Sequence, residues 1–327
     1  MLGNQGRQQT KMKRGLINTD DFEALRRQGG CYVDKTRFIP DFFKWSFVKL
    51  MTRPRNFGKS LTLSMLQAFL EMNYQDPENK SRQLELFVGL DIVENEAFVR
   101  ENMGAWPVIR FSFKNVNGPD FETAVHKMFA EAQALCRRFE FLLGDPNLAI
   151  PVRDTLQGVI EMADDDAEKM VHLLIPLIYC LEDALFGFCG KRAIVLIDDY
   201  EAPVVKAREH GYYEAMLYLV RGMLGWALKS SPYLNGAVMM GCSRQHDESI
   251  YIGPNNIVHY DVSSELKSEV VGFTRDELEA LLRDLGAESL VEKAATHCGG
   301  HCFGRTKMYC PGDLAQWLCG LPAEPFH

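Results

Sequence analysis

The chain has 327 residues, 46% of them hydrophobic and 24% charged, a globular balance that excludes a disordered chain, a coiled coil and a collagen-like fibre. Its length suggests about two domains, or one large domain with an appendage. A net charge of −8, from 44 acidic against 36 basic residues, opposes wholesale wrapping by nucleic acid and leaves room only for a local basic patch.

Residues 1–14 contain Arg7, Lys11, Lys13 and Arg14 and no acid. Lacking the apolar centre of a secretory signal, they read as a disordered basic arm. Phe47 to Thr52 predicts a first strand, followed by a glycine-containing loop and an apolar helix from Leu61 to Asn73. Trp106 to Phe113 alternates as a second strand, and Phe121 to Leu143 carries apolar residues at helical spacing. Residues 144–166, with Gly144, two prolines and Asp164-Asp165-Asp166, read as a loop or mobile insert. A helix is expected from Glu168 to Phe188. Its densest apolar stretch, Met170 to Leu181, is interrupted by His172 and Pro176, so no run is expected to approach the ~18 residues of a membrane span. A soluble, cytoplasmic chain with no membrane partner is the expectation.

Arg192 to Ile197 is a short unbroken apolar run of the kind found in buried central strands. Further strands are expected at Ala237–Gly241 and Ile257–Val262, with the polar stretch Cys242–Asn256 between them. Thr274-Arg275-Asp276-Glu277 is a capping box opening a helix that Gly286 closes, and Pro311 can start a last one. Strands alternating with longer helices predict an α/β fold. The boundary falls near Ser264, dividing a five-stranded domain over 15–264 from a small helical region over 265–327.

Two local signals carry chemistry. Thr52-Arg53-Pro54-Arg55-Asn56-Phe57-Gly58-Lys59-Ser60 lies between a strand and a helix. There backbone N–H groups can cradle phosphates, a lysine can add charge and a serine hydroxyl can meet Mg²⁺. The general pattern G-x-x-x-x-G-K-[ST] wants glycine where Arg53 stands, and the competing interpretation is a surface turn with an exposed lysine. The second signal is Asp198-Asp199, closing the apolar run. Two carboxylates at a buried strand end are costly unless they meet a cation, the alternative being a turn with solvated acids. Asp198 is placed to hold Mg²⁺ and Asp199 to orient or deprotonate water. The next strand delivers Cys242, Ser243 and Arg244 to the same sheet edge. Arg244 either reads the γ-phosphate or pairs with Asp199 or Glu201 when nucleotide is absent.

With these residues in place, the chain resembles the predicted AAA-ATPase-like family of P-loop proteins, many of which carry a nuclease-like domain of the PD-(D/E)xK type. The resemblance runs from about Gly15 to Leu318 and rests on separated motifs. These are Tyr32-Val33-Asp34-Lys35-Thr36, Arg53 to Ser60, Pro107 to Phe113, Leu196 to Pro203, Arg221-Gly222, Pro232-Tyr233-Leu234, Arg244 with Glu248-Ser249-Ile250 and Asn255-Asn256, and Phe303-Gly304 with Tyr309-Cys310-Pro311. It implies a P-loop NTPase with an additional-strand (ASCE/AAA-like) parallel sheet in the order 5-1-4-3-2, and a loop of the form R-P-R-x-F-G-K-S. Tyr32 to Thr36 would pack near the adenine or at the sheet edge. Arg53, Pro54, Arg55, Asn56, Phe57, Gly58, Lys59, Ser60 and Leu61 would surround ATP, with Lys59 on the β/γ-phosphates. Ser60 and Asp198 would hold Mg²⁺, Asp199 the water and Arg244 the γ-phosphate.

Three departures qualify what the resemblance implies. Asp199 stands where the family has Glu, and a ~1 Å misplacement can cost on the order of 100-fold in rate, so hydrolysis is expected to be slow. His297 to Gly304 replaces an aromatic cluster with His and Cys. With Cys310 this offers a set for Zn²⁺, although its compactness favours simple loss of the aromatic cluster. No D-x(n)-E-x-K set remains before His327, so the nuclease-like domain is expected to be absent. The other six of nine cysteines read mostly as reduced core thiols. The expected function is ATP·Mg²⁺ binding with slow hydrolysis coupled to a conformational change. Its rivals are a non-hydrolysing nucleotide-gated switch or scaffold and a degenerate copy binding no nucleotide. A protein client is left unnamed, and nucleic acid is a partner by family analogy alone.

Overall fold

The structure, a computed structural model, describes residues 19–44, 48–163, 166–229, 231–242, 257–265 and 267–320. Five strands, β1 (Val48–Thr52), β2 (Val108–Ser112), β3 (Ala193–Asp198), β4 (Leu234–Gly241) and β5 (Ile257–Tyr260), form one sheet. Its order is β2-β3-β4-β1-β5, which reads 5-1-4-3-2 from the opposite edge, and every pairing is parallel.

Both faces of the sheet are covered, so the central strands need apolar side chains at successive positions. Val48, Leu50, Val195, Ile197, Ala237 and Met239 face a layer made by the helices Phe121–Arg138, Ile150–Glu161, Ala167–Cys189 and Tyr213–Lys229. Met51, Ile194, Leu196, Val238 and Met240 face the helix Lys59–Leu70 and the short helices Phe22–Arg27 and Ser81–Phe87. Alternate residues of one strand thus enter two cores.

Two expectations are corrected. Residues 144–166 are not a loop throughout, because Ile150–Glu161 is a helix with Val152, Leu156 and Val159 buried. Pro151 sits in its first turn, where a missing N–H costs nothing. Asp166 caps the next helix by accepting from the Lys169 N–H, while Asp164 and Asp165 lie outside the described residues. The second correction concerns that next helix. Ala167–Cys189 runs 23 residues through His172 and Pro176 without a break, with a mean hydropathy of 1.6 over its most apolar window. By length and composition alone it could cross a membrane. Here it packs against three helices and strands β2 and β3, which accounts for its apolar character. The sequence also left unassigned the helices Ala202–His210 and Tyr213–Lys229, which return the chain from β3 to β4.

Past β5, residues 267–320 hold the helices Arg275–Asp284, Val291–Cys298 and Pro311–Cys319 and an antiparallel hairpin, β6 (His301–Phe303) with β7 (Thr306–Met308). Both halves of the Thr274–Glu277 capping box form. This segment has a small core of its own around Leu278, Leu282 and Leu314. It also sends Val270, Val271, Phe303, Met308 and Cys310 into the core shared with β1 and Phe57.

Candidate functional site

At the carboxyl edge of the sheet β1 turns into the loop 53–58, which turns into the helix Lys59–Leu70. Gly58 makes the second turn with φ +85° and Asn56 the first with φ +65°. The C-terminal segment holds the loop from behind. Gly272 donates its N–H to the Phe57 carbonyl and Gly312 to that of Asn56, each at 3.0 Å. A Cβ on Gly272 would lie 2.7 Å from the Phe57 ring and one on Gly312 2.5 Å from the Asn56 Cβ, so this approach needs glycine at both positions. Phe57 is buried between His301 and Phe303, with ring centroids 4.8 and 5.1 Å away.

Lys59 is nearly buried at the start of its helix. Its Nζ donates to the carbonyls of Arg53 (3.2 Å) and Pro54 (2.9 Å) and to the Cys242 Sγ (3.2 Å). The first-turn N–H groups of a helix lack intrahelical acceptors and carry its positive end, so cation and helix terminus reinforce each other. Ser60 follows, hydrogen-bonded to Asp198. Asp198 ends β3 at 1% exposure, and its Oδ1 has no partner among the described residues. Burial pushes its carboxyl above the usual range, the Ser60 bond opposes this, and Asp199 adds to it. Arg110, from the edge strand β2, reaches 3.8 Å from Asp198 Oδ2 and 3.3 Å from the Ser60 carbonyl.

Asp199 adopts φ +49°, uncommon for a residue with a side chain, and its carbonyl accepts from the Ala202 N–H at 2.9 Å. Two residues on, Glu201 folds back over the end of β4. Its Oε1 accepts from the Cys242 N–H at 2.6 Å, while Oε2, at 8% residue exposure, has no partner among the described residues. Burial raises the Glu201 carboxyl above its ordinary range against the lowering effect of the Cys242 N–H. Ligand-bearing atoms of Asp199, Glu201 and Cys242 all lie within 4.8 Å of one another.

Lys59, Ser60, Asp198 and Asp199 therefore meet at one edge. Arg53 does not join them. Its fully buried guanidinium donates to the carbonyls of Thr52 and Tyr260 (2.8 Å each) and Lys267 (3.1 Å) and lies 4.9 Å over the Phe303 ring. Its side chain ties β1 and β5 to the C-terminal segment, and only its backbone belongs to the loop. Arg55 and Asn56 are exposed, Pro54 and Leu61 half-buried, and Arg244 lies outside the described residues. The His297–Cys310 set does not converge as metal ligands. His297 stacks on Trp317, His301 packs on Phe57, Cys302 is exposed, and burial pushes the thiols of Cys298 and Cys310 up to about 11. Among the described residues only Asp199, Glu201 and Cys242 satisfy that criterion.

Glu201 and Arg110 also meet this edge, and motif reading gave neither of them a role there. A charged residue inside Val108-Ile109-Arg110-Phe111 was a visible signal for Arg110. For Glu201 the signal was a third acid two residues beyond the pair. A cavity of about 450 Å³ opens beside the loop, lined by Gly58, Leu61 and Thr62 and, across from them, by Tyr32, Val33, Val271 and Phe273. Lys35, at its border, is paired with Glu277 at 2.7 Å. Asp34 accepts from the backbone of Thr36 and Asp91, which gives this opening motif a structural role.

The family described as "Predicted AAA-ATPase" matches residues 16–251. A curated relative, "Uncharacterized protein in vnfD 5'region" of Azotobacter chroococcum mcd 1, is 24% identical over 291 residues, covering 86% of this chain and 47% of its own length. The chain spans about half the length of that relative. No solved structure matches.

Proposed function

The chain belongs to the predicted AAA-ATPase family, and from that premise we propose that it binds ATP with Mg²⁺ at the loop 53–60 and hydrolyses it. The observation that carries this reading is the meeting of Lys59 and Ser60, at the start of a helix, with a buried Asp198 whose Oδ1 has no partner among the described residues. A buried carboxylate oxygen left without a donor is expensive, and beside a serine hydroxyl it suits a hard cation. Ser60 and Asp198 would hold Mg²⁺, which when bound neutralises charge on the phosphates.

The protein's own groups do the rest. The loop N–H groups and Lys59 receive the β- and γ-phosphates, and Lys59 exchanges its carbonyl and thiol contacts for phosphate oxygens. The base and ribose enter the cavity between Gly58–Thr62 and Tyr32–Val33. Asp199 and Glu201 face the position of the attacking water. Phosphoryl transfer asks mainly for such positioning and charge neutralisation. The reading of a nucleotide-gated switch draws on a separate observation, the grip of Gly272 and Gly312 on the loop carbonyls, through which a change in loop posture would reach residues 267–320.

Single-turnover reaction with γ-labelled ATP tests the proposal. The wild-type protein should release labelled phosphate, and Lys59→Ala should slow release by about 100-fold or more. ATP bound but intact after hours would leave the switch and remove the enzyme.

A further inference from the structure

Resting on that nucleotide reading, we infer that Glu201 rather than Asp199 is the general base that takes the proton of the attacking water. Glu201 is fixed beside the end of β4, close to Lys59. Its Oε1 is tied to the Cys242 N–H at 2.6 Å, and the Cys242 Sγ is 3.2 Å from Lys59 Nζ, the ammonium assigned to the terminal phosphates. The carboxylate is thus held one residue away from the phosphate-binding cation.

Oε2 is withdrawn from solvent, at 8% residue exposure, yet has no partner among the described residues. Leaving such an acceptor unmade is costly, a cost removed by a donor such as a water molecule. The fold maintains this arrangement at β4, which ends in glycine. A Cβ on Gly241 would lie 2.2 Å from that same Oε2 and 2.4 Å from Tyr200 Cε1. Asp199 differs on each count: its side chain is partly exposed, shorter by a methylene, and carried on left-handed backbone.

The step balances without a further reactant. The water oxygen forms a bond to the γ-phosphorus as the bond from that phosphorus to the β–γ bridging oxygen breaks. The bridging electron pair leaves with ADP, and the water proton passes to Glu201 Oε2, from which it returns to solvent as inorganic phosphate departs.

Equilibrium ATP binding and single-turnover hydrolysis, measured side by side on wild type, Glu201→Gln and Asp199→Asn, test the assignment. Glutamine keeps an acceptor for the Cys242 N–H and loses only basicity. Glu201→Gln should bind ATP within about threefold of wild type while its chemical step falls about 100-fold or more, and Asp199→Asn should lose less. Glu201→Asp, which keeps the charge but withdraws it, should fall between wild type and Glu201→Gln, and its melting curve guards against misfolding. Wild-type rates in Glu201→Gln, or a larger loss in Asp199→Asn, would overturn the role while leaving the nucleotide site standing. A wild type that binds no ATP would remove the nucleotide reading and the base together.

Discussion

Arg53 and Glu182 are both buried charges, and their surroundings give them opposite consequences. The Arg53 guanidinium has three carbonyl acceptors and the Phe303 ring. Burial lowers it to about 10 against the pull of Asp261, so it stays charged at neutral pH. This explains how a loop that usually opens on glycine tolerates arginine: the side chain leaves the loop altogether. Glu182, on the helix Ala167–Cys189 at 0% exposure, accepts from the Ser231 hydroxyl on Oε2, and its Oε1 has no partner among the described residues. Burial pushes its carboxyl up to about 8. With the folded value above the unfolded one, its contribution to stability is fully present below about pH 4.5 and is lost as pH rises through about 8. Glu182→Gln should therefore flatten the fall in melting temperature between pH 6 and 9 and melt higher at the alkaline end. An unchanged slope in that variant would contradict the assignment.

Among elements, the adjoining ends of β3 and β4 position the site. Gly241 has to be glycine because Tyr200 and Glu201 lie across it. Gly241→Ala should lower the melting temperature by several degrees, consistent with overpacking costs of about 1–3 kcal/mol, and abolish turnover. Gly225, inside the helix Tyr213–Lys229 with open space around its Cα, is the control. Gly225→Ala should be neutral or stabilising by about 0.5–1 kcal/mol. If both variants melt alike, the close approach at Gly241 is wrong.

These elements also mark what the sequence could convey. All five strands were legible to within a few residues, β3 because burial on both faces demands an unbroken apolar run and β2 because its residues alternate. Lys59-Ser60 and Asp198-Asp199 could be singled out because each pair is contiguous in the chain. The helix Ile150–Glu161 was hidden by Pro151, a loop signal that is equally at home in a first helical turn. The direction of Arg53, the return of Glu201 onto Cys242 and the reach of Arg110 to Asp198 were not legible. Each depends on which strands lie side by side, and no spacing within one segment encodes that.

At the scale of the whole molecule, the loop 53–58 is shared property. Its front faces Asp198, Glu201 and Cys242 from the sheet. Its back is bonded to Gly272 and Gly312, and Phe57 is buried among residues of the C-terminal hairpin. The cavity of about 450 Å³ has walls from the N-terminal segment, the loop helix and the C-terminal helices together, so a ligand there would join parts distant in sequence. A ligand that binds only the folded state must stabilise it, by about 2.7 kcal/mol at a hundred times its dissociation constant. Melting temperature in millimolar ATP with Mg²⁺ therefore tests the central claim most directly. The account predicts a rise of several degrees that Lys59→Ala loses, and an identical melting curve with and without ATP would contradict it.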